Sequence, residues 1–291
     1  MKSVAKHVAQ YRRYTRSTAG SIGYFTILIL AGLFMVFPLF YCIITSLKPL
    51  DELLIFPPKF FVRRPTLTNY TVLPALLGNL QIPVSRYVFN SIFIAIVSTF
   101  LTIIAGSMAA FTFSKSKVKG RKILFLIVQV MLLYNGVTLG VPQYLIFTGL
   151  DIIDTYWVYI LPAIPSAVNC FLMKQFMDVS VPDTLMEAAR IDGARVSTMY
   201  WRVVMPIMKP AWMTVLLFSF QSMWSVVPGG TIFSEQLKTL PFVMSSITAG
   251  GIARAGSSMA VTVILMIPPI AVFLFTQSNV METMSSSGIK E

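Results

Sequence analysis

Charge is scarce in this chain of 291 residues: only 12% are Asp, Glu, Lys or Arg, against about 25% in a soluble domain, and there is one histidine and two cysteines. The lone His7 lies in a basic N-terminal arm, so it is no buried acid-base group, and no H-E-x-x-H pair exists. A G-x-x-x-x-G-K-[ST] phosphate loop is also missing, which excludes ATP binding of that kind. No catalytic residue, metal ligand or cofactor is therefore assigned to the chain. Cys42 and Cys170 both fall in apolar stretches, where they read as small hydrophobes and not as a disulfide framework. All 11 carboxylates lie outside the long apolar runs. Ion-coupled carriers place an ionisable group inside a span. Its lack here argues against a secondary transporter and against an intramembrane protease or transferase, and puts the energy source on another polypeptide.

What the chain has instead is oil. Hydrophobic residues make up 56% of it, and the mean hydropathy is +0.75. Crossing a bilayer as helix takes roughly 20 apolar residues. Six uncharged runs qualify, at 22–46, 87–113, 123–148, 155–173, 211–227 and 257–278. A β-barrel would show short alternating segments instead. The expected class is an all-α integral membrane protein with six transmembrane helices: a cytoplasmic arm over 1–21, a membrane domain over 22–278 and a cytoplasmic tail over 279–291. The first run is too long for the apolar core of a cleaved signal peptide.

Lys and Arg collect on the cytoplasmic side of membrane proteins. The N-terminal arm holds five (Lys2, Lys6, Arg12, Arg13, Arg16), residues 115–122 five and residues 174–209 five, and Lys290 adds one. The opposite loops hold seven of the 23. Both termini are therefore expected inside, in a multi-pass protein of a bacterial or archaeal cell membrane. The net charge of +12 is scattered over separate loops, which suits anionic lipid and not nucleic acid.

Between spans, residues 47–86 carry Pro57, Pro58 and Pro65 and read as a structured external loop. Residues 228–256 bracket an apolar patch at 242–247, which is either re-entrant or an interfacial helix. Pro38, Pro142, Pro162, Pro165, Pro268 and Pro269 lie within spans, where neighbours or water must satisfy the freed carbonyls. Gln129, Asn135, Gln221, Ser222 and Trp224 are the polar and aromatic span residues with solute-binding chemistry; hydrogen bonding between helices is the alternative for each. Tyr156, Trp157 and Tyr159 read as an interfacial aromatic belt.

The cytoplasmic loop 178–210 interrupts this pattern. Ser180 with Asp183 three residues on reads as a capping box, opening a helix through "TLMEAARI". Gly193 should close it in the left-handed position, and a second helix should run from Ser197 to Pro206. Leu185, Met186, Ala189 and Ile191 offer an apolar strip, with Ala188 small and Glu187 on another edge. Docking to a partner and lying on lipid headgroups both fit.

"EAARIDGARVSTMYWRVVMPIMKP" resembles the EAA loop of ATP-binding-cassette importer permeases. Glu187, Ala188, Ala189, Gly193 and Pro206 match in register, while Val203 and Met205 stand for Ile and Leu. "VPQYLIFTGLDIIDTYWVYILP", "FLMKQFMDVSVPDTLMEAARIDGA" and "SSSGIK" are similar to the carbohydrate-uptake, MalG-like branch, so the likeness runs over residues 20–291. Trp224 is followed by Ser225-Val226-Val227 where that branch has Asn, an acid and an aromatic. Arg195-Val196 replaces a small-polar and Pro pair.

The resemblance implies a type I importer permease fold and half of a translocation pathway. It implies four kinds of partner: a second permease, two ATPase subunits that hold ATP and Mg, an extracellular solute-binding protein, and membrane lipid. Leu185, Glu187, Ala188, Ala189, Asp192, Gly193 and Pro206 become ATPase-coupling residues, with Glu187 pairing to a basic residue and both alanines packing into the ATPase cleft. Gly288 and Lys290 become tail contacts with the ATPase. The implied cargo is a mono- or oligosaccharide. The same machine with another solute, or a stand-alone carrier or channel, are the competing readings.

Overall fold

The computed structural model describes residues 18–77, 82–134, 139–227, 229–249, 251 and 254–288. His7, Asn135, Lys290 and the basic arm lie outside the described residues. All regular structure among the described residues is helical. The main helices are α1 (Thr18–Ser46), α2 (Val84–Lys115), α3 (Arg121–Met131), α4 (Gly140–Gly149), α5 (Trp157–Ala163) and α6 (Ala167–Ser180). They continue as α7 (Asp183–Ile191), α8 (Val196–Ile207), α9 (Lys209–Trp224), α10 (Leu240–Thr248) and α11 (Ala255–Gly288).

Four helical stretches among the described residues are long and apolar enough to cross a membrane: Gly20–Ser46, Val84–Lys115, Trp157–Ser180 and Ala255–Met281. A fifth candidate is the α8–α9 pair, bent by 78°. The expected span at 123–148 is described as α3 and α4, of 11 and 10 residues, with 135–138 outside the described residues.

Two compact units are recognised, residues 1–70 with 255–263, and residues 71–254 with 264–291. In the first, the outer loop folds onto the end of α1. Asn69 Nδ2 donates to Ser46 O and Lys48 O, both at 2.8 Å, and Glu52 accepts the amides of Arg63 and Arg64 at 3.0 and 2.9 Å. A Cβ at Gly256 would collide with the Asn69 amide, so this position demands glycine.

The second unit is built around α2, which has no proline and runs 32 residues, about 48 Å at helical rise. Its buried stripe includes Ala95, Ser98, Thr102, Gly106 and Ala110 at three- and four-residue spacing, small side chains that let neighbouring backbones approach. The α6 backbone at Cys170 comes within 3.8 Å of where a Cβ of Gly106 would stand. Pro162 and Pro165 flank the break between α5 and α6, and the Ser166 hydroxyl caps the new helix by accepting the Asn169 amide at 3.3 Å.

At its N-terminal end α2 holds a polar knot. Asn90 Nδ2 donates to Gln236 O and Lys238 O, both at 2.8 Å, while its Oδ1 accepts the Tyr156 hydroxyl at 2.7 Å. Ser91 Oγ accepts the Leu240 amide at 2.8 Å, so α10 starts on α2. Tyr159, only 5% exposed, donates to Leu237 O at 3.3 Å. The aromatic belt expected of Tyr156 and Tyr159 is thus corrected: the Tyr156 hydroxyl turns to the Asn90 side chain and the Tyr159 hydroxyl to backbone, and of the three only Trp157 stays exposed. Beside the knot, Asp154 Oδ1 accepts the amides of Phe233 and Ser234 at 2.9 Å each. Hydrogen bonds from Ser234 hold the Asp154 carboxyl below its ordinary range. The latch is therefore intact above that range and is lost as pH falls through the lowered value.

Replacing Asn90 strips three bonds at once. Asn90→Leu should lower stability by on the order of 3 kcal/mol, whereas Ser91→Ala, which frees a single amide, should cost about 1 kcal/mol. Denaturation midpoints in detergent check this, and equal midpoints for the two variants contradict the knot.

Candidate coupling loop and solute cavities

The loop 178–210 begins where α6 ends. Ser180 is the last residue of α6, Pro182 takes the extended cap position of α7, and no side chain caps that helix. The expected capping box is corrected accordingly. The Asp183 carboxylate instead accepts Lys115 Nζ from the end of α2 at 2.8 Å, a stronger charged partner than a backbone amide. That hydrogen bond and the Lys115 charge hold the Asp183 carboxyl below its usual range, so the pair persists at neutral pH and is lost as acid titrates the carboxylate. Asp178, one turn earlier in the chain, accepts the Ser114 hydroxyl at 2.5 Å and pairs with Lys174 at 2.6 Å. Two carboxylates thus tie the approach to α7 onto the last turn of α2.

Helix α7 divides its residues between two faces. Met186, 4% exposed, joins the core formed by α2, α6 and α9, and Ala189 packs partly buried against it. Leu185, Glu187, Ala188 and Ile191 point outward, Ile191 being 87% exposed. The expected single strip of Leu185, Met186, Ala189 and Ile191 is therefore split. Ala189 is taken by the protein's own core; of the two alanines, Ala188 is the one left open to a partner.

The C-terminal turn of α7 is a Schellman motif. The Ala194 amide donates to Ala189 O at 2.9 Å and the Gly193 amide to Arg190 O at 3.0 Å, with Gly193 at φ +78° as its sequence position predicts. Asp192 is the exposed residue before it. A Cβ at Gly193 would meet open space, so glycine is required by the dihedral alone.

The second helix of the loop, α8, widens into a π-turn over Met199–Val204. Its Tyr200 is buried, shares a 2.6 Å hydrogen bond with Ser107 and meets Phe111 edge-on at 5.6 Å, both on α2. Pro206 and Pro210 flank the 78° bend into α9. The Trp212 indole crosses the bend to donate to Met205 O at 3.2 Å, one of the carbonyls such a break leaves over. Gly288 is the last described residue of α11, and Lys290 lies beyond.

Two cavities open within the second unit. The outer, about 520 Å³, is lined among others by Gln143, Tyr144, Tyr159, Met223, Val227 and Thr231. The inner, about 360 Å³, is lined by Thr102, Ser166, Asn169, Phe218, Ser219 and Ser222. Pro162, Ala163 and Met223 belong to both walls. Thr102 donates to Ala163 O at 2.9 Å, and Asn169 Nδ2 donates to Ser219 Oγ at 2.8 Å.

Of the sequence-predicted pathway residues, Ser222 lines the inner cavity. Gln129 and Gln221 are exposed and line neither cavity. Trp224 is corrected: it is 4% exposed, donates its indole N–H to Leu265 O at 2.9 Å and stacks on Phe220, so no ring face is left for a solute. Thr102, Ser166, Asn169 and Ser219, which the sequence does not single out, also line the inner cavity. The signal was there in two prolines three residues apart, followed by Ser166 and Asn169.

The model of the binding-protein-dependent transport system inner membrane component family matches residues 102–285. The arabinooligosaccharides transport system permease protein AraQ of Bacillus subtilis is 27% identical over 266 residues, 90% of this chain and 93% of AraQ. The sulfoquinovosyl glycerol transport system permease protein SmoH of Agrobacterium fabrum is 29% identical over 269 residues, 91% of each chain. In fold, the chain is similar to one from the crystal structure of a bacterial ABC transporter involved in the import of the acidic polysaccharide alginate. The TM-score is 0.75 at 21% identity, over 91% of this chain and 98% of that one. The chain is a multi-pass membrane protein and belongs to the inner membrane components of binding-protein-dependent transport systems.

Proposed function

We propose that this chain is the permease subunit of an ATP-driven importer of mono- or oligosaccharides. It supplies half of the pathway and works with a second permease, two ATPase subunits that carry ATP and Mg, and an extracellular solute-binding protein. The saccharide cargo rests on relatives named for sugar and oligosaccharide transport. The chain crosses the membrane six times, through α1, α2, the α3–α4 stretch, α5–α6, α9 and α11, with both termini cytosolic.

The observation that carries the coupling role is the outward face of α7. Leu185, Glu187, Ala188 and Ile191 stand exposed on a helix whose other face is anchored and whose end is fixed by Gly193. An exposed large Ile beside a small Ala and a carboxylate supplies apolar area, close approach and one charge for register. Glu187 pairs with a basic residue of the ATPase, Ala188 and Ile191 pack into its cleft, and Asp192 and Pro206 shape the turn and the bend. Closing of the ATPase pair on ATP pulls α7, and the clamps to α2 pass the movement to the spans. The tail at Gly288 and Lys290 adds a second contact with the ATPase.

Two experiments in a reconstituted complex test this. Glu187 is exposed, so Glu187→Ala should insert normally yet lower ATP-dependent uptake about 10-fold or more, since an interfacial charge pair is worth roughly 2–5 kcal/mol. Uptake and ATPase stimulation equal to wild type contradict the role of Glu187. At position 193, coupling should fall in the order Gly, Asn, Ala, Val, because Asn tolerates the left-handed region and a β-branched residue does not. Gly193→Trp with wild-type, binding-protein-stimulated ATPase activity overturns the coupling assignment.

A further inference from the structure

The inner cavity lies against the middle of α2. Along α2, Thr102 stands about 27 Å from Val84 and about 20 Å from Lys115 at 1.5 Å per residue. Side chains with hydrogen-bonding groups are costly at that depth unless something answers them. Yet Thr102, Ser166, Asn169, Ser219 and Ser222 converge on one 360 Å³ space from α2, the α5–α6 break and α9. Ser222 is exposed to that space, and Ser98, one turn before Thr102 on the same stripe, has a buried hydroxyl with no hydrogen-bond partner. Helix packing thus leaves the Ser98 hydroxyl over, and a hydroxyl that already donates, as that of Thr102 does, keeps acceptor capacity.

Among the described residues, no Lys, Arg, Asp or Glu lines either cavity. The nearest cation along α6, Lys174, is already paired with Asp178 and lies over the Phe125 ring at 4.5 Å. A carboxylate or sulfonate brought to this depth would lose its hydration with no counter-charge in return. Hydroxyl groups of an uncharged ring, each donor and acceptor at once, match hydroxyl and amide walls. The outer cavity differs. Gln143 and Tyr144 sit on one turn of α4, with an aromatic face for a sugar ring, and the shared wall of Pro162, Ala163 and Met223 makes the two spaces neighbours.

We infer that the two cavities are successive contact sites for an uncharged saccharide. The outer one takes a ring against Tyr144 and Gln143, and the inner one binds ring hydroxyls through Thr102, Asn169, Ser219 and Ser222. The inference rests on the importer reading above and adds which surface of this chain meets the cargo and which charge the cargo carries.

The test uses the complete importer in proteoliposomes, with Cys42→Ala and Cys170→Ala as background and Ser222→Cys as the reporter. The reagent is methanethiosulfonate ethyltrimethylammonium, a cation that reaches only water-filled positions. The solutes are arabinotriose, maltotriose and lactose as neutral saccharides and trigalacturonate as the acidic one. The expected result is labelling of the cysteine, slowed at least fivefold by whichever neutral saccharide the vesicles import. Val168→Cys, lining the same cavity from α6, gives the same reading should the Ser222→Cys complex not assemble. No labelling at either position, labelling that no imported saccharide slows, or protection by trigalacturonate alone overturns the inference. ATP-dependent uptake of the same four solutes by the unsubstituted complex separates the two levels. Import without protection defeats only the cavity assignment, whereas absence of import together with ATPase activity that the binding protein does not stimulate defeats the importer reading with it.

Discussion

Everything in the larger unit hangs on one straight helix. Because α2 has no proline over 32 residues, it behaves as a rod longer than the roughly 30 Å hydrocarbon core. Helices α5, α6 and α9 pack along it, and hydrogen bonds fasten both of its ends. At the C-terminal end Ser114 and Lys115 take Asp178 and Asp183, and Ser107 takes Tyr200. At the N-terminal end Asn90 and Ser91 take the backbone of residues 236–240. The loop 178–210 and residues 236–240 are thus attached to opposite ends of a single stiff body. A displacement imposed on α7 reaches the far side without crossing a hinge.

Softness is placed elsewhere. The breaks sit between α5 and α6, where two prolines stand, and between α8 and α9, where Pro206, Pro210 and a π-turn act together. Both breaks are patched locally, by the Ser166 cap and by the Trp212 indole. The inner cavity borders the first of them, so hydroxyls and amides gather beside a helix break. In a bilayer, irregular backbone is tolerated only when buried in protein or beside a water-filled space.

Much of this was legible from hydropathy and turn chemistry. The positions of α1, α2 and α11 follow from uncharged runs, and the left-handed Gly193 follows from its place after "EAARID". The failures share one cause. Ser180 and Asp183 have the spacing of a local cap, Tyr156 and Tyr159 have the chemistry of a belt, and Trp224 has the face of a sugar platform. Each was claimed by a partner distant in sequence: Lys115, Asn90, Leu237 and Leu265. A polar group in a membrane protein goes to the strongest partner within reach, and spacing along the chain does not reveal which partner that is. The same holds for α7, where sequence shows an apolar strip but only packing shows that Met186 and Ala189 belong inside.

The emptiness of the six apolar runs, which hold no Asp, Glu, Lys or Arg, has a consequence for energetics. Each elementary charge carried through a membrane potential of 100 mV exchanges about 2.3 kcal/mol with the field. A rearrangement of spans without charges carries none. In the importer proposed above, this chain's part of the stroke is accordingly electrically silent, neither driven nor opposed by voltage.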